Sequence, residues 1–351
     1  MSDTPGIDAV TAAAERLLPG GHVERVDNRP WLLSVTTGAD RFSVRQLDPA
    51  IPAIRIDLIH EFLAQPELRN ATALVTHDRV GSLAFDARAW ADGTTCGGAI
   101  VVELWSTLHL PSALSLDQLS TVAASLGSLH RTGMNGSILA RAPRFKLKDR
   151  ITAVRRSLDL DERRLAGEIR KESRARRWLS AARPLLTNAE QALEQAAFLR
   201  DEPEVIAHLD LWGSHIVLDT SEASAAFLDY STIGAAPAAV DIAQIVARGG
   251  AWSDDRVERA LQRYAEETPI TPLQRRILPW LTALDAIGSC GNLLVRAQDD
   301  ERNPLSDRDR RKVLAASDLQ LDLLASLETA FVPPAPRQYR RPGRRTSREN
   351  G

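Results

Sequence analysis

The alternation of apolar and polar positions divides the chain into an early part of short segments and a later part of long helical ones. Residues 7–18, IDAVTAAAERLL, have helical spacing and stop at Pro19-Gly20-Gly21. Three strand-like segments follow, HVERV at 22–26, WLLSVTT at 31–37 and RFSVRQL at 41–47, separated by DNRP and GAD turns. RIDLIHEFLAQ at 55–65 places apolar residues at 56, 58, 59, 62 and 63, which predicts an amphipathic helix. Further strand-like pieces fall at 72–76, 82–87 and 99–104. Beyond about residue 112 helix dominates. SLDQLSTVAASLGSLH at 115–130 opens on a serine cap and closes at Gly133, and the charged stretch 150–200 reads as two helices. VIAHLDL, HIVLD and AAFLDY within 205–230 are short and extended; helices return at 254–267, 272–298 and 304–330. The expected fold class is therefore α+β in two lobes. Residues 1–90 form a small antiparallel-sheet lobe, and 91–331 a hinge and a mostly helical lobe. Residues 332–351 form a basic Pro/Gly/Arg tail with almost no core formers, expected to be disordered.

Composition narrows the class. The 351 residues suffice for two lobes, and 44% hydrophobic with 26% charged residues is ordinary for a soluble globular protein. The two cysteines, Cys96 and Cys290, lie far apart outside any CxxC pattern, against a disulfide scaffold or structural zinc site. The first ten residues lack a basic and apolar leader pattern, and no run approaches 18 uninterrupted apolar residues. A cytoplasmic location without a membrane span is expected. The net charge of −2 hides an uneven distribution, with basic residues crowding into 144–183 and 337–348. Within 144–183 Phe145 and Trp178 are the only aromatics interleaved, so nucleic acid is not the expected partner. An adaptor role for the basic insert and tail is a minor alternative.

The chemistry concentrates in VIAHLDLWGSHIVLD at 205–219 and FLDYST at 227–232. Phosphoryl transfer needs one carboxylate near the attacking hydroxyl and another to hold a divalent metal on the nucleotide phosphates. A further neutral ligand helps hold that metal. Asp210 stands at the first place, Asp229 at the second and His215 at the third. His208 reads as a brace for the loop backbone, and Asp241, opening DIAQIV, as a helix cap or a loop brace.

The run AHLDLWGSHIVLD…AAFLDYSTIGAAPAAVDIAQIV resembles the aminoglycoside phosphotransferase family, which has a protein-kinase-like fold and is related to fructosamine and choline kinases. That family's usual run is H-G-D-L-H-x-x-N, then I-D-[FW], then D-[LI]-A; the similar residues are His208, Asp210, Leu211, Asp229, Asp241, Ile242 and Ala243. LGSLHRTG at 126–133 resembles the family's L-x-x-L-H helix end, and ALQRYAEETPI at 260–270 its later tyrosine-containing helix. The resemblance implies transfer of the γ-phosphate of ATP or GTP to a hydroxyl of a small molecule, with Mg²⁺ or Mn²⁺ as cofactor. It implies Asp210 as the catalytic residue, Asp229 and His215 at the metal, Arg45 on the phosphates, and Glu61 holding Arg45. The phosphate cover becomes VDNRPW at 26–31, with Asn28 and Arg29, and the adenine-contacting hinge falls near 83–93.

Three departures from that pattern bear on the chemistry. His215 replaces asparagine, Leu209 replaces glycine, and the cover loop contains no glycine. Imidazole is a poor ligand for Mg²⁺ and a better one for Mn²⁺ or Zn²⁺. Three outcomes stay open: a softer metal, Mg²⁺ on Asp229 alone with His215 on phosphate, or an impaired site. The alternative function is a pseudokinase that binds nucleotide or a partner without transferring phosphate. The Arg-rich insert 144–183, in the region where the family builds its acceptor site, mildly favours an anionic or neutral acceptor.

Overall fold

A computed structural model describes residues 10–12, 14–15, 18–25, 32–38, 40–46, 58–59, 61–62, 65, 85–86, 100–104, 113–134, 136–171, 173–195, 202–211, 215–218, 225–227, 229–298 and 305–331. The first lobe is a five-stranded antiparallel sheet of β1 (His22–Arg25), β2 (Leu32–Thr37), β3 (Asp40–Gln46), β4 (Phe85–Asp86) and β5 (Ile100–Leu104), in the order β1-β2-β3-β5-β4. The alternation read from the sequence sets its faces: Leu33, Val35 and Val44 are buried, with Leu33 opposite Val44 across the β2–β3 ladder. Residues 58–59 and 61–62 are helical, and Leu58, Ile59 and Phe62 are buried, the face expected from their spacing.

The sheet reaches beyond the expected boundary at residue 90. β5 pairs along β3, from Phe42 opposite Leu104 to Gln46 opposite Ile100, and β4 pairs with β5. Residues 85–86 of the segment expected as a hinge are thus an edge strand.

The second lobe is built on α1 (Leu116–Thr132), α2 (Gly136–Leu139), α3 (Leu147–Arg164), α4 (Ala166–Ile169) and α5 (Arg174–Gln195). Two small antiparallel ribbons follow, β6 (Glu204–Ala207) with β9 (Gly234–Pro237), and β7 (Ile216–Leu218) with β8 (Ala225–Phe227). The helices α6 (Ala239–Ala247), α7 (Asp254–Ala265), α8 (Pro272–Gln298) and α9 (Asp307–Ala330) complete it. At the start of α1 the Ser115 Oγ accepts from the Gln118 N–H, and the Gln118 side chain accepts from the Ser115 N–H, a closed capping box. Gly133 ends that helix where an added Cβ would lie 2.8 Å from the Ile206 Cβ, so α1 abuts β6 only because this residue has no side chain.

α8 is the spine of the lobe, packed by α3, α5, α6 and α9. Its length and apolar content match those of a membrane-crossing helix, yet 72% of its most apolar window is buried, as in the core helix of a folded lobe. Trp178 on α5 is fully buried and donates its indole N–H to the Ile287 carbonyl of α8 at 3.1 Å. Cys290 is buried and free, and Cys96 lies outside the described residues.

Candidate functional site

β6 delivers the chain to His208, and the next three residues have no regular structure to hold them. One face of α6 does so instead, through Asp241, Gln244 and Arg248 at positions i, i+3 and i+7. Asp241 accepts the backbone N–H of His208 at 2.6 Å and of Leu209 at 2.8 Å. The Gln244 amide donates to the Leu209 carbonyl at 3.1 Å and accepts the Leu211 N–H at 2.7 Å. Arg248 donates to the Leu211 carbonyl at 3.4 Å. The peptide groups on both sides of Asp210 are thereby fixed. This explains how Leu209, at φ 67° where the resembling loops carry glycine, is held in a conformation that costs a side-chain-bearing residue about 1–2 kcal/mol.

Asp241 is itself anchored from below. Of the two readings, helix cap and loop brace, its contacts are those of a brace: α6 begins two residues earlier, and the carboxylate serves the loop. His130, at the end of α1, meets it through Nε2 at 3.0 Å, and the His130 Nδ1 lies 2.8 Å from the Tyr264 hydroxyl of α7. All three residues are fully buried. Burial raises the pKa of the Tyr264 phenol, and the Asp241 charge adds to this, so Tyr264 stays protonated and donates to His130. Burial also works against ionisation of Asp241. The hydrogen bond and electrostatic attraction of His130, the attraction of His208 and the Leu209 N–H outweigh it and leave Asp241 below the usual carboxylate range. The signal for this chain of contacts was present in the LGSLH helix end and the tyrosine helix, but neither residue carried a role on sequence grounds.

Above the brace the structure brings together Asp210, His215 and Asp229. The His215 Nδ1 lies 2.7 Å from the Asp210 backbone carbonyl, an acceptor only, so Nδ1 carries a proton. The same nitrogen is 3.6 Å from the Asp210 carboxylate, and Nε2 on the other side of the ring is 3.8 Å from the Asp229 carboxylate. Asp210 has a pKa raised above the usual carboxylate range, first by burial and then by the negative charges of Asp229 and Asp285, with His215 and Arg150 acting in the opposite sense. Asp229 sits at φ 63°, where its Oδ1 accepts the Ser231 N–H at 3.3 Å and starts a 3₁₀ turn over Tyr230–Thr232. The Thr232 hydroxyl ties that turn to the His208 carbonyl at 2.7 Å. His208 acts as the expected backbone brace, its Nδ1 accepting the Asp210 N–H at 3.3 Å. The Tyr230 ring packs on His208 at 4.8 Å between centroids and on Phe62 at 6.3 Å, joining residues 58–62 to the loop.

The nucleotide-side expectations are less fully described. Arg45 lies on β3, paired with Leu32 and Val101, and the structure describes its backbone only. Asn28 and Arg29 lie outside the described residues. Among the described side chains Glu61 pairs with Arg141, at 2.5 Å in an exposed ion pair. Among the described residues no three His, Cys, Asp or Glu side chains form a closed metal cluster. The Asp229 carboxylate and the Nε2 of His215 are the donors that would hold a divalent ion, the remaining ligands being phosphate and water. One carboxylate suits Mg²⁺ in that company, and the imidazole favours Mn²⁺.

Beside Asp210 opens a cavity of about 170 Å³ between α3, α6 and α8, lined also by Arg150, Arg248, Asp285, Ser289 and Asn292. Asp285 bridges two guanidiniums, Arg248 at 3.0 Å and Arg150 at 3.3 Å. The sequence reading missed these residues because no motif spacing links α3 to α8. A larger groove of about 990 Å³ lies among α4, α5, α8 and α9, lined by Arg174, Arg177 and Asp318; none of its described lining residues belongs to the 208–211 loop.

Three comparisons with known proteins bear on this arrangement. The model of a phosphotransferase enzyme family matches residues 23–280. No curated protein matches the sequence. Among solved structures, an aminoglycoside phosphotransferase from Alicyclobacillus acidocaldarius is similar at TM-score 0.54 and 14% identity, covering 92% of this chain and 95% of that one. Spectinomycin phosphotransferase in its AMP-bound complex gives TM-score 0.55 at 13% identity, covering 90% and 93%. Choline kinase from Cryptosporidium parvum gives 0.56 at 12%, covering 92% and 95%. At such identities the likeness establishes the two-lobe kinase-like α+β fold and nothing finer.

Proposed function

Because the chain belongs to the phosphotransferase enzyme family, we propose that it transfers the γ-phosphoryl group of ATP or GTP to a hydroxyl of a small molecule. The observation that carries this reading is the convergence of Asp210, His215 and Asp229 on a loop whose backbone is fixed from α6. Asp210 accepts a hydrogen bond from the acceptor hydroxyl and takes its proton as the oxygen attacks phosphorus. Burial makes its carboxylate a stronger base than an ordinary aspartate. The fixed peptides on either side hold that carboxylate in place, so little orientational entropy remains to be lost at the moment of reaction. Arg45 binds phosphate oxygens in bidentate fashion, and Asn28 and Arg29 close over them. Asp229 and His215 hold the divalent ion, which supplies charge neutralisation on the phosphates when bound.

Asp210→Asn and Asp229→Ala test this together. The first should lower turnover about 10²–10⁴-fold, and the second should abolish the metal dependence of nucleotide binding. Normal turnover by either variant would sink the reading.

One observation favours a second reading. With Nδ1 bonded to the Asp210 carbonyl, a proton on Nε2 would make His215 a fixed cation facing Asp229, in the region a metal would otherwise neutralise. The protein would then bind nucleotide without metal and transfer nothing. Nucleotide affinity measured with excess chelator separates the two readings.

A further inference from the structure

The cavity beside Asp210 allows the acceptor to be specified further, on the premise that Asp210 faces the acceptor hydroxyl. Its volume, about 170 Å³, is close to that of an engineered cavity of roughly 150 Å³ that holds one benzene. The reacting end of the acceptor is therefore compact. The charges in the walls are arranged unevenly. Asp285 is spent: its Oδ1 accepts from Arg150 at 3.3 Å, and its Oδ2 accepts from Arg248 at 3.0 Å and from Ser289 at 3.4 Å. Among the described lining residues, that leaves no carboxylate except Asp210 to receive a cationic group. Among the described lining residues there is no aromatic ring either, so none of them offers a quaternary ammonium a π face.

The two guanidiniums differ. Arg248 is buried and holds both the Leu211 carbonyl and Asp285, so its donors serve the loop. Arg150, on the first turn of α3, has a side chain 39% exposed and a single described contact, one nitrogen to Asp285. Most of its fork thus remains for a ligand, and Asp285 only aims it. Asn292, at the rim on α8, adds an amide suited to a hydroxyl or carboxylate.

We propose that the acceptor is a compact hydroxylated anion, a hydroxy acid or sugar acid, whose carboxylate is held by Arg150 while its hydroxyl meets Asp210. Arg150 is then a specificity residue, and the Arg248–Asp285 pair positions it. A polycationic aminoglycoside or an amino alcohol is disfavoured by charge.

The experiment uses the full chain saturated with a non-hydrolysable ATP analogue and divalent metal, and reads binding by calorimetry. Glycerate, gluconate and further small hydroxy acids are titrated beside choline, which matches glycerate in heavy-atom size and has the opposite charge, and beside glycerol and kanamycin. The expected result is binding of at least one hydroxy acid and of no cation. Arg150→Gln should weaken that binding about tenfold or more, and Arg150→Lys should restore part of it, because a charge remains without the planar fork. Unliganded melting of both variants reports whether the fold is intact. Binding of choline or kanamycin, silence across all the hydroxy acids, glycerol binding as tightly as glycerate, or anion binding indifferent to Arg150→Gln would each overturn the proposal. Any of these results with analogue binding intact leaves the phosphotransferase reading standing. Failure of the analogue to bind strikes that reading itself.

Discussion

The two carboxylates of the site are held in different ways. Asp210 sits between peptide groups fixed by Asp241, Gln244 and Arg248, and that face of α6 is anchored through His130 and Tyr264 to α1 and α7. Asp229 stands on a short 3₁₀ turn, with the Ser231 N–H on its carboxylate and the Thr232 hydroxyl tying the turn to His208. The first is part of the core of the helical lobe. The second belongs to the boundary between lobes, where Tyr230 meets Phe62. Departures from the family pattern can be placed on this difference. A strained Leu209 survives in the braced half because five hydrogen bonds to the three α6 side chains hold its neighbourhood. His215 is fixed through Nδ1 alone, so its Nε2 remains to serve or replace a metal.

Deleting the anchor of each half should produce the largest contrast. Asp241→Ala leaves the His208 and Leu209 N–H groups and His130 without their acceptor and should cost about 3–5 kcal/mol in urea unfolding. Asp229→Ala should change stability by less than about 1 kcal/mol. Equal losses would erase the distinction.

Acid titration of stability sharpens it. The pKa of Asp241 is depressed in the fold, so its contribution is present above the unfolded aspartate value, near 3.9, and is lost as pH falls through the lower folded value. Asp210 runs the other way. Its raised pKa makes the ionised form costly at neutral pH, and that cost is relieved as pH falls through the raised value. Asp210→Asn should therefore be more stable than the parent at neutral pH while inactive, and chemical unfolding at pH 7 checks this.

Exchanging the ligand comes next in size. His215→Asn should shift the ratio of activities from Mn²⁺ towards Mg²⁺, as an oxygen donor replaces nitrogen. The smallest effect belongs to Leu209→Gly. Relief of left-handed strain is offset by lost packing of a partly buried side chain and by glycine's entropy, for a net change under about 1 kcal/mol. A gain of several kcal/mol would mean that α6 does not hold the loop as described.

Much of this was legible in the chain. Period-two alternation located β1, β2 and β3, and amphipathic spacing located the long helices, because each buries one continuous face. β9 was not legible: Gly234–Pro237 is made of small residues, and an added Cβ at Gly234 would lie 2.6 Å from the Pro143 carbonyl oxygen. The lobe boundary was set too early because β5 pairs with β3 across more than fifty residues, and no local pattern encodes that. The loop residues stood out because phosphoryl transfer requires carboxylates at fixed separations. Gln244, Arg248 and Asp285 did not, since their partners are peptide groups and one another, reached only after folding.

In the proposed site Asp229 and His215 hold a metal under a bound nucleotide. Thermal-shift titration with ATP and GTP, each with Mg²⁺, with Mn²⁺ and with chelator, tests it most directly when run on the parent chain and on Asp229→Ala. The expected result is stabilisation that requires metal, is stronger with Mn²⁺ than with Mg²⁺, and disappears in Asp229→Ala. Stabilisation that persists in chelator and survives Asp229→Ala would contradict it.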